Sequence, residues 1–110
     1  MANVFKNSIT GSIGTTGVTV YTTPAATTTT IIGVNVANVN STNISVSCML
    51  RDTSANKTVY LVKDTLITPG SSTVLVGGDQ KVVMEASDFL SVTSSLANSA
   101  DVIVSALELS

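Results

Sequence analysis

Between residues 44 and 51 the chain repeats with a period of two: Ile44, Val46, Cys48 and Leu50 are separated by Ser45, Ser47, Met49 and Arg51. Successive side chains of a strand point to opposite faces, so this pattern describes a strand with one face covered. Upstream, Ile32, Val34 and Val36 alternate in the same way with Gly33, Asn35 and Ala37. The Asn/Ser/Thr cluster at 38–43 between these runs predicts a turn and, with them, an antiparallel hairpin.

Further short apolar segments follow at intervals bounded by turn residues. Val18–Val20 with Thr19 and Tyr21 predicts a strand that stops at Pro24, and residues 25–30 read as an Ala/Thr connection compatible with an extended edge. Residues 52–56 form a second turn. Val59, Tyr60, Leu61 and Val62 are apolar on both faces and predict a central strand. Pro69-Gly70 suits the two central positions of a type II turn. Val74–Val76, Val82–Met84, Phe89–Thr93 and Val102–Leu109 complete the series, with Gly77-Gly78-Asp79-Gln80-Lys81 read as a hairpin turn. Turns every 8–12 residues and no convincing helix predict an all-β domain, a single antiparallel β-sandwich of eight or nine short strands. Immunoglobulin-like and jelly-roll topologies are not separable by this pattern. Residues 1–16 carry Gly11, Gly14 and four large apolar side chains, and read as an N-terminal arm or irregular lead-in before a sandwich over 17–110.

Composition sharpens the functional reading. Ser and Thr account for 32 of 110 residues, while His and Trp are absent and Cys48 is the single cysteine. The residues that most often transfer protons, ligate metals or act as nucleophiles near neutral pH are therefore scarce. Cys48 lies on the apolar side of its run and reads as a small core residue. The seven acids include four in or beside predicted turns, where Asp bonds its own backbone. They show no paired-carboxylate pattern and no D-x-D-x-D clustering, so catalytic, metal and cofactor-binding residues are all expected to be none. The Gly77–Lys81 segment lacks the spacing and following helix of a phosphate loop.

Only 11% of residues are charged and the net charge is −2, with Lys6, Arg51, Lys57, Lys63 and Lys81 dispersed. No basic cluster supports a nucleic-acid partner, and no apolar run reaches the length of a membrane helix. The N-terminus has no apolar core of a signal peptide, so synthesis in a cytoplasm is expected. Low charge with 4% aromatic residues leaves neutral β surface exposed and a thin core, which together predict a homo-oligomer or docking on a larger body. The candidate interface residues are Val4, Phe5, Ile9 and Ile13 of the arm, together with Tyr21.

The segments 58–64 (TVYLVKD), 69–72 (PGSS), 76–82 (VGGDQKV) and 101–105 (DVIVS) resemble small virion structural proteins of tailed phages, notably those infecting cyanobacteria. The likeness runs from about Val18 to the C-terminus. It implies a β-sandwich accessory protein of the head, neck or tail, present in several copies, whose partners are other virion proteins. The expected function is thus a non-enzymatic structural subunit, with head decoration or neck association ahead of tail or fibre. The alternative is a carbohydrate-binding or adhesin-like module at a virion or cell surface.

Overall fold

The β-branched runs form nine strands in the computed structural model, which describes residues 3–77 and 80–110. They are β1 (Asn3–Ile13), β2 (Val18–Thr22), β3 (Thr28–Asn38), β4 (Ile44–Asp52), β5 (Lys57–Ile67), β6 (Ser72–Val76), β7 (Val82–Met84), β8 (Phe89–Ser94) and β9 (Ala100–Leu109). There is no helix among the described residues. The strands make two antiparallel sheets, one ordered β1-β9-β3-β6 with β7 also on β3, the other β2-β8-β4-β5.

The pairing is nested. β4 pairs with β5 across a tight turn, β3 with β6 and β7, β2 with β8, and β1 with β9. The chain is thus one long hairpin, with the turn at 53–56 as its tip. Pairing of β9 with β3 and of β8 with β4 rolls that hairpin into two sheets. A rolled, nested hairpin of this kind is a jelly roll, which resolves the topology that the sequence left open.

The core lies between the sheets and is aliphatic. Ile31, Val34, Val36, Val102, Val104 and Met84 from one sheet meet Ile44, Val46, Cys48, Leu90 and Val92 from the other, all at most 1% exposed. Cys48 occupies the core position expected of it, and burial pushes its thiol up to about 11. The type II turn at Pro69-Gly70 is also present: Gly70 has a φ of 74°, and Ser71 N donates to Thr68 O at 3.1 Å.

Several expectations are corrected. Residues 32–36 and 44–50 are strands, but β3 and β4 lie in different sheets, so the segment between them is an arch. Asn38 holds that arch: its Nδ2 donates to Thr42 O at 2.9 Å and to Ile67 O at 2.8 Å, and its Oδ1 accepts from Asn40 N at 2.8 Å. The alternation in β3 is also interrupted. A bulge between Ile31 and Gly33 puts Ile31 in the core and leaves Ile32 half-buried. Thr28–Thr30, read as connection, belong to this central strand and pair with both β9 and β7.

The apolar segment 59–62 lies in edge strand β5, with Val59 and Tyr60 each about half exposed, and not in a central one. β6 and β7 run in the same direction along one side of β3. β6 and β7 therefore do not pair with each other as the arms of a hairpin; Gly78 and Asp79 of the expected turn lie outside the described residues. Residues 1–16 likewise include no irregular arm over the described part. β1 is an eleven-residue strand paired with β9 along its length, because its small polar and apolar residues alternate well enough to complete the sheet.

Candidate assembly surface

Two bulges decide where the five candidate interface residues go. In β1 the register shifts between Thr10 and Ile13, where Ser12 takes a left-handed φ of 55°. Continued alternation would place Ile13 on the same outer face as Ile9. The bulge turns it inward instead, to 1% exposure. In β2 the register shifts between Thr19 and Tyr21, so that Val20 and Tyr21 are both buried. Ile13 and Tyr21 are thus core residues and do not present a surface. Val4, Phe5 and Ile9 are exposed, by 40%, 76% and 72%.

Tyr21 has an internal role. Its hydroxyl donates to Glu108 Oε2 at 2.6 Å and bonds Thr29 Oγ1 at 2.8 Å, tying β2 of one sheet to β3 and β9 of the other. Lys6 Nζ reaches Glu108 Oε1 at 3.3 Å from the rim. Burial, then the Glu108 carboxylate, push the phenol up to about 12. Nearby in sequence, Thr23 Oγ1 is buried without a hydrogen-bond partner.

Two of the exposed candidates, Phe5 and Ile9, join a larger surface, while Val4 stands opposite Glu108 on the other side of β1. Phe5 stands opposite Leu107, which stands opposite Thr30 and then Val83. Ile9 stands opposite Ile103, then Asn35 and Val74. These two ranks cross the outer face of the five-stranded sheet, and Val74, Val83 and Ile103 are 65%, 62% and 40% exposed. Between the ranks, Asn7, Ser105 and Gly33 lie side by side. Gly33 contributes no side chain there, and Phe5, Lys6, Asn7, Ile32, Ser105 and Ala106 line an open depression of about 290 Å³. Among the described strand positions of this face the one ionisable side chain is Asp101, at the end, where its Oδ1 accepts from Ser12 N. Sequence reasoning did not select Ile103, Val83 or Val74. The available signal was that 102–104 and 82–84 are apolar at every position, so one apolar side chain in each run must face away from the core.

The second sheet is chemically different on its outer face. Ser45, Ser47, Arg51, Ser91 and Thr93 share its centre with the half-buried Met49 and Phe89, and Tyr60 and Leu66 stand at the β5 edge. Ser47 and Asp64 exchange hydrogen bonds there, and Lys63 Nζ sits 5.3 Å from the Tyr60 ring centroid.

At one end of the sandwich, Asp52, Glu85 and Asp88 bring carboxylate oxygens within 4.8 Å of one another. Their spacing along the chain gives no hint of this meeting. Asp88 is buried, and its two oxygens accept from Thr53 N at 3.0 Å and Glu85 N at 2.9 Å. Asp52 Oδ1 accepts from Ala55 N and Ser54 Oγ, both at 2.9 Å, and these bonds, the Ala55 amide first, hold its carboxyl below the usual range. The acids thus organise their own turns and clamp the β4–β5 tip to the β7–β8 loop.

No protein-family model and no curated protein sequence matches the chain. Solved structures share its fold. A protein of the disulfide-linked pili formed by Bacillus endospore appendages superposes with a TM-score of 0.59 at 11% identity, over 98% of this chain and 88% of that one. A chain from the structure of infectious bursal disease virus, Gx strain, gives 0.52 at 11% identity over 96% of this chain. A chain from T=1 particles derived from infectious bursal virus gives 0.51 at 9% identity over 97%. This chain spans about a third of each viral chain, 35% and 34%. At these identities the likeness is one of fold.

Proposed function

We propose that the chain is a non-enzymatic structural subunit of a multi-copy assembly at a virion or cell surface, working through the outer face of its five-stranded sheet. The observation that carries this reading is that face: Phe5, Ile9, Val74, Val83 and Ile103 stand exposed on one sheet, where Asp101 is the one outward ionisable side chain among the described strand positions. Apolar surface of this extent is costly in water and is characteristic of contact sites. The neighbours in fold are parts of pili and virus particles, which supports the same reading. Within it, the resemblance of residues 58–64, 69–72, 76–82 and 101–105 to virion proteins of tailed phages supports a head-decoration or neck-associated subunit made in a host cytoplasm.

Incorporation into particles tests this. Phe5→Asp and Ile9→Asp are expected to leave the fold intact, since both side chains are mostly exposed, and to reduce recovery of the protein with purified particles or surface fibres by tenfold or more, roughly the effect of one lost interface anchor. Undiminished recovery of both variants would overturn the assignment of this face. Selective retention on a glycan array, with no assembly defect, would favour a carbohydrate-binding module instead.

A further inference from the structure

We propose that the outer face of the five-stranded sheet is a two-fold interface between copies of this chain, in which Phe5 of each copy seats in the depression of the other. This rests on the structural-subunit reading and names the partner that the face takes first.

Phe5 is 76% exposed and is also one wall of the 290 Å³ depression that it forms with Lys6, Asn7, Ile32, Ser105 and Ala106. Projection and socket are therefore neighbours on one surface. A two-fold axis passing between them places each Phe5 over the other copy's socket, and the contact closes on itself without propagating into a filament. The two rings then lie side by side across the axis, at the about 4.5–7 Å separation that aromatic pairs favour.

Charge points the same way. A two-fold contact brings each residue near its own counterpart, so any net charge on the face would repel itself. Among the described strand positions whose side chains point outward, this face carries only Asp101, at the end furthest from Phe5 in register and already engaged by Ser12 N. Lys6, which borders the depression, is already paired with Glu108 at 3.3 Å. A dissimilar partner recognised by charge would find only these two groups, each already engaged within the chain. The opposite sheet, with Arg51, Lys63 and Asp64 exposed or half-exposed, lacks this self-compatibility.

The extent is sufficient. Four strands at about 4.8 Å spacing and about nine residues long present roughly 20 by 30 Å. That is about 600 Å² per copy, at the lower bound of specific interfaces.

The test is solution mass with paired variants. Sedimentation velocity on the purified chain at micromolar concentration is expected to give twice the 11.2 kDa chain mass. Phe5→Asp should weaken self-association about 30-fold or more with an unchanged circular dichroism spectrum. Leu66→Asp, at an apolar position 61% exposed on the other sheet, should leave it intact. Asn7→Cys should yield a disulfide-linked dimer under mild oxidation, since Cys48 is sealed in the core. A monomeric wild type with no Asn7→Cys cross-link overturns the interface, as does a dimer that survives Phe5→Asp or is lost with Leu66→Asp. A monomer whose Phe5 and Ile9 variants still lose particle incorporation overturns the self-association alone and leaves the structural role standing. A Phe5-dependent dimer found in no assembly does the reverse.

Discussion

Single side chains set the stability of the sandwich ends and its response to alkali. Asp88 satisfies two backbone amides from different loops, Thr53 N and Glu85 N, while itself 2% exposed. Asp88→Ala strands both donors and is expected to cost about 2–4 kcal/mol, read as a lower urea midpoint with an unchanged slope. Cys48 and Tyr21 act through protons. Each is neutral and buried in the folded state, with its pKa raised from 9.0 to about 11 and from 10.0 to about 12. Below the lower value both states keep the proton and the contribution is complete. Between the lower and the raised value only the unfolded chain releases it, so stability falls as pH rises. The decline should run from about pH 9 to 11 for Cys48 and from about pH 10 to 12 for Tyr21. It should amount to about 2–3 kcal/mol for Cys48 and less for Tyr21, whose hydroxyl is the less desolvated of the two. Urea titrations from pH 8 to about pH 12 check this: Cys48→Ala should remove the earlier part of the slope and Tyr21→Phe the later part.

At the scale of elements, alternation was legible and partnership was not. The strand over 44–52 follows directly from its period-two run, because side-chain direction is a property of one strand, while those over 57–67 and 100–109 were signalled by apolar segments between turns. Which strand lies beside another depends on contacts distant in sequence, and there the sequence misleads. β3 and β4 look like a hairpin yet part into separate sheets, and the apolar 59–62 run sits on an edge. That edge position gives a direct contrast: Val59→Thr and Tyr60→Ser are expected to change stability by no more than about 0.5 kcal/mol. Ile31→Ala, in the core, should cost about 2–5 kcal/mol. Both follow from chemical denaturation of the three variants. Bulges are the second reason for failure. One extra residue inverts the face of everything beyond it, which is how Ile13 and Tyr21 become core and Ile31 replaces Ile32. The candidate site was therefore legible in Phe5 and Ile9, which precede the first bulge, and illegible beyond it.

For the molecule as a whole, the N-terminal strand is structural. β1 covers one side of β9 and delivers Ile13 to the core. Removing residues 1–13 would leave β9 an uncovered edge and a cavity beneath it, so the truncated chain is expected to unfold or aggregate. A dispensable arm would instead leave a folded but unassembled protein, and the amide spectrum of the truncated chain distinguishes these outcomes. The proposed two-fold contact has its own thermodynamic consequence: association favours the folded state by mass action, so Tm should rise with protein concentration for the wild type and stay flat for Phe5→Asp. Calorimetry over a hundredfold concentration range reads this directly.

The sequence by itself determined the all-β class, the positions of most turns, the core placement of Cys48 and the scarcity of catalytic side chains, because each depends on local backbone preference or on composition. Only the tertiary structure decided the jelly-roll nesting, the bulges, the meeting of Asp52, Glu85 and Asp88, and the charge-poor face built from β1, β3, β6, β7 and β9. Those features arise when strands far apart in the chain come into register. A period of two specifies which way a side chain points, but carries no information about what stands opposite.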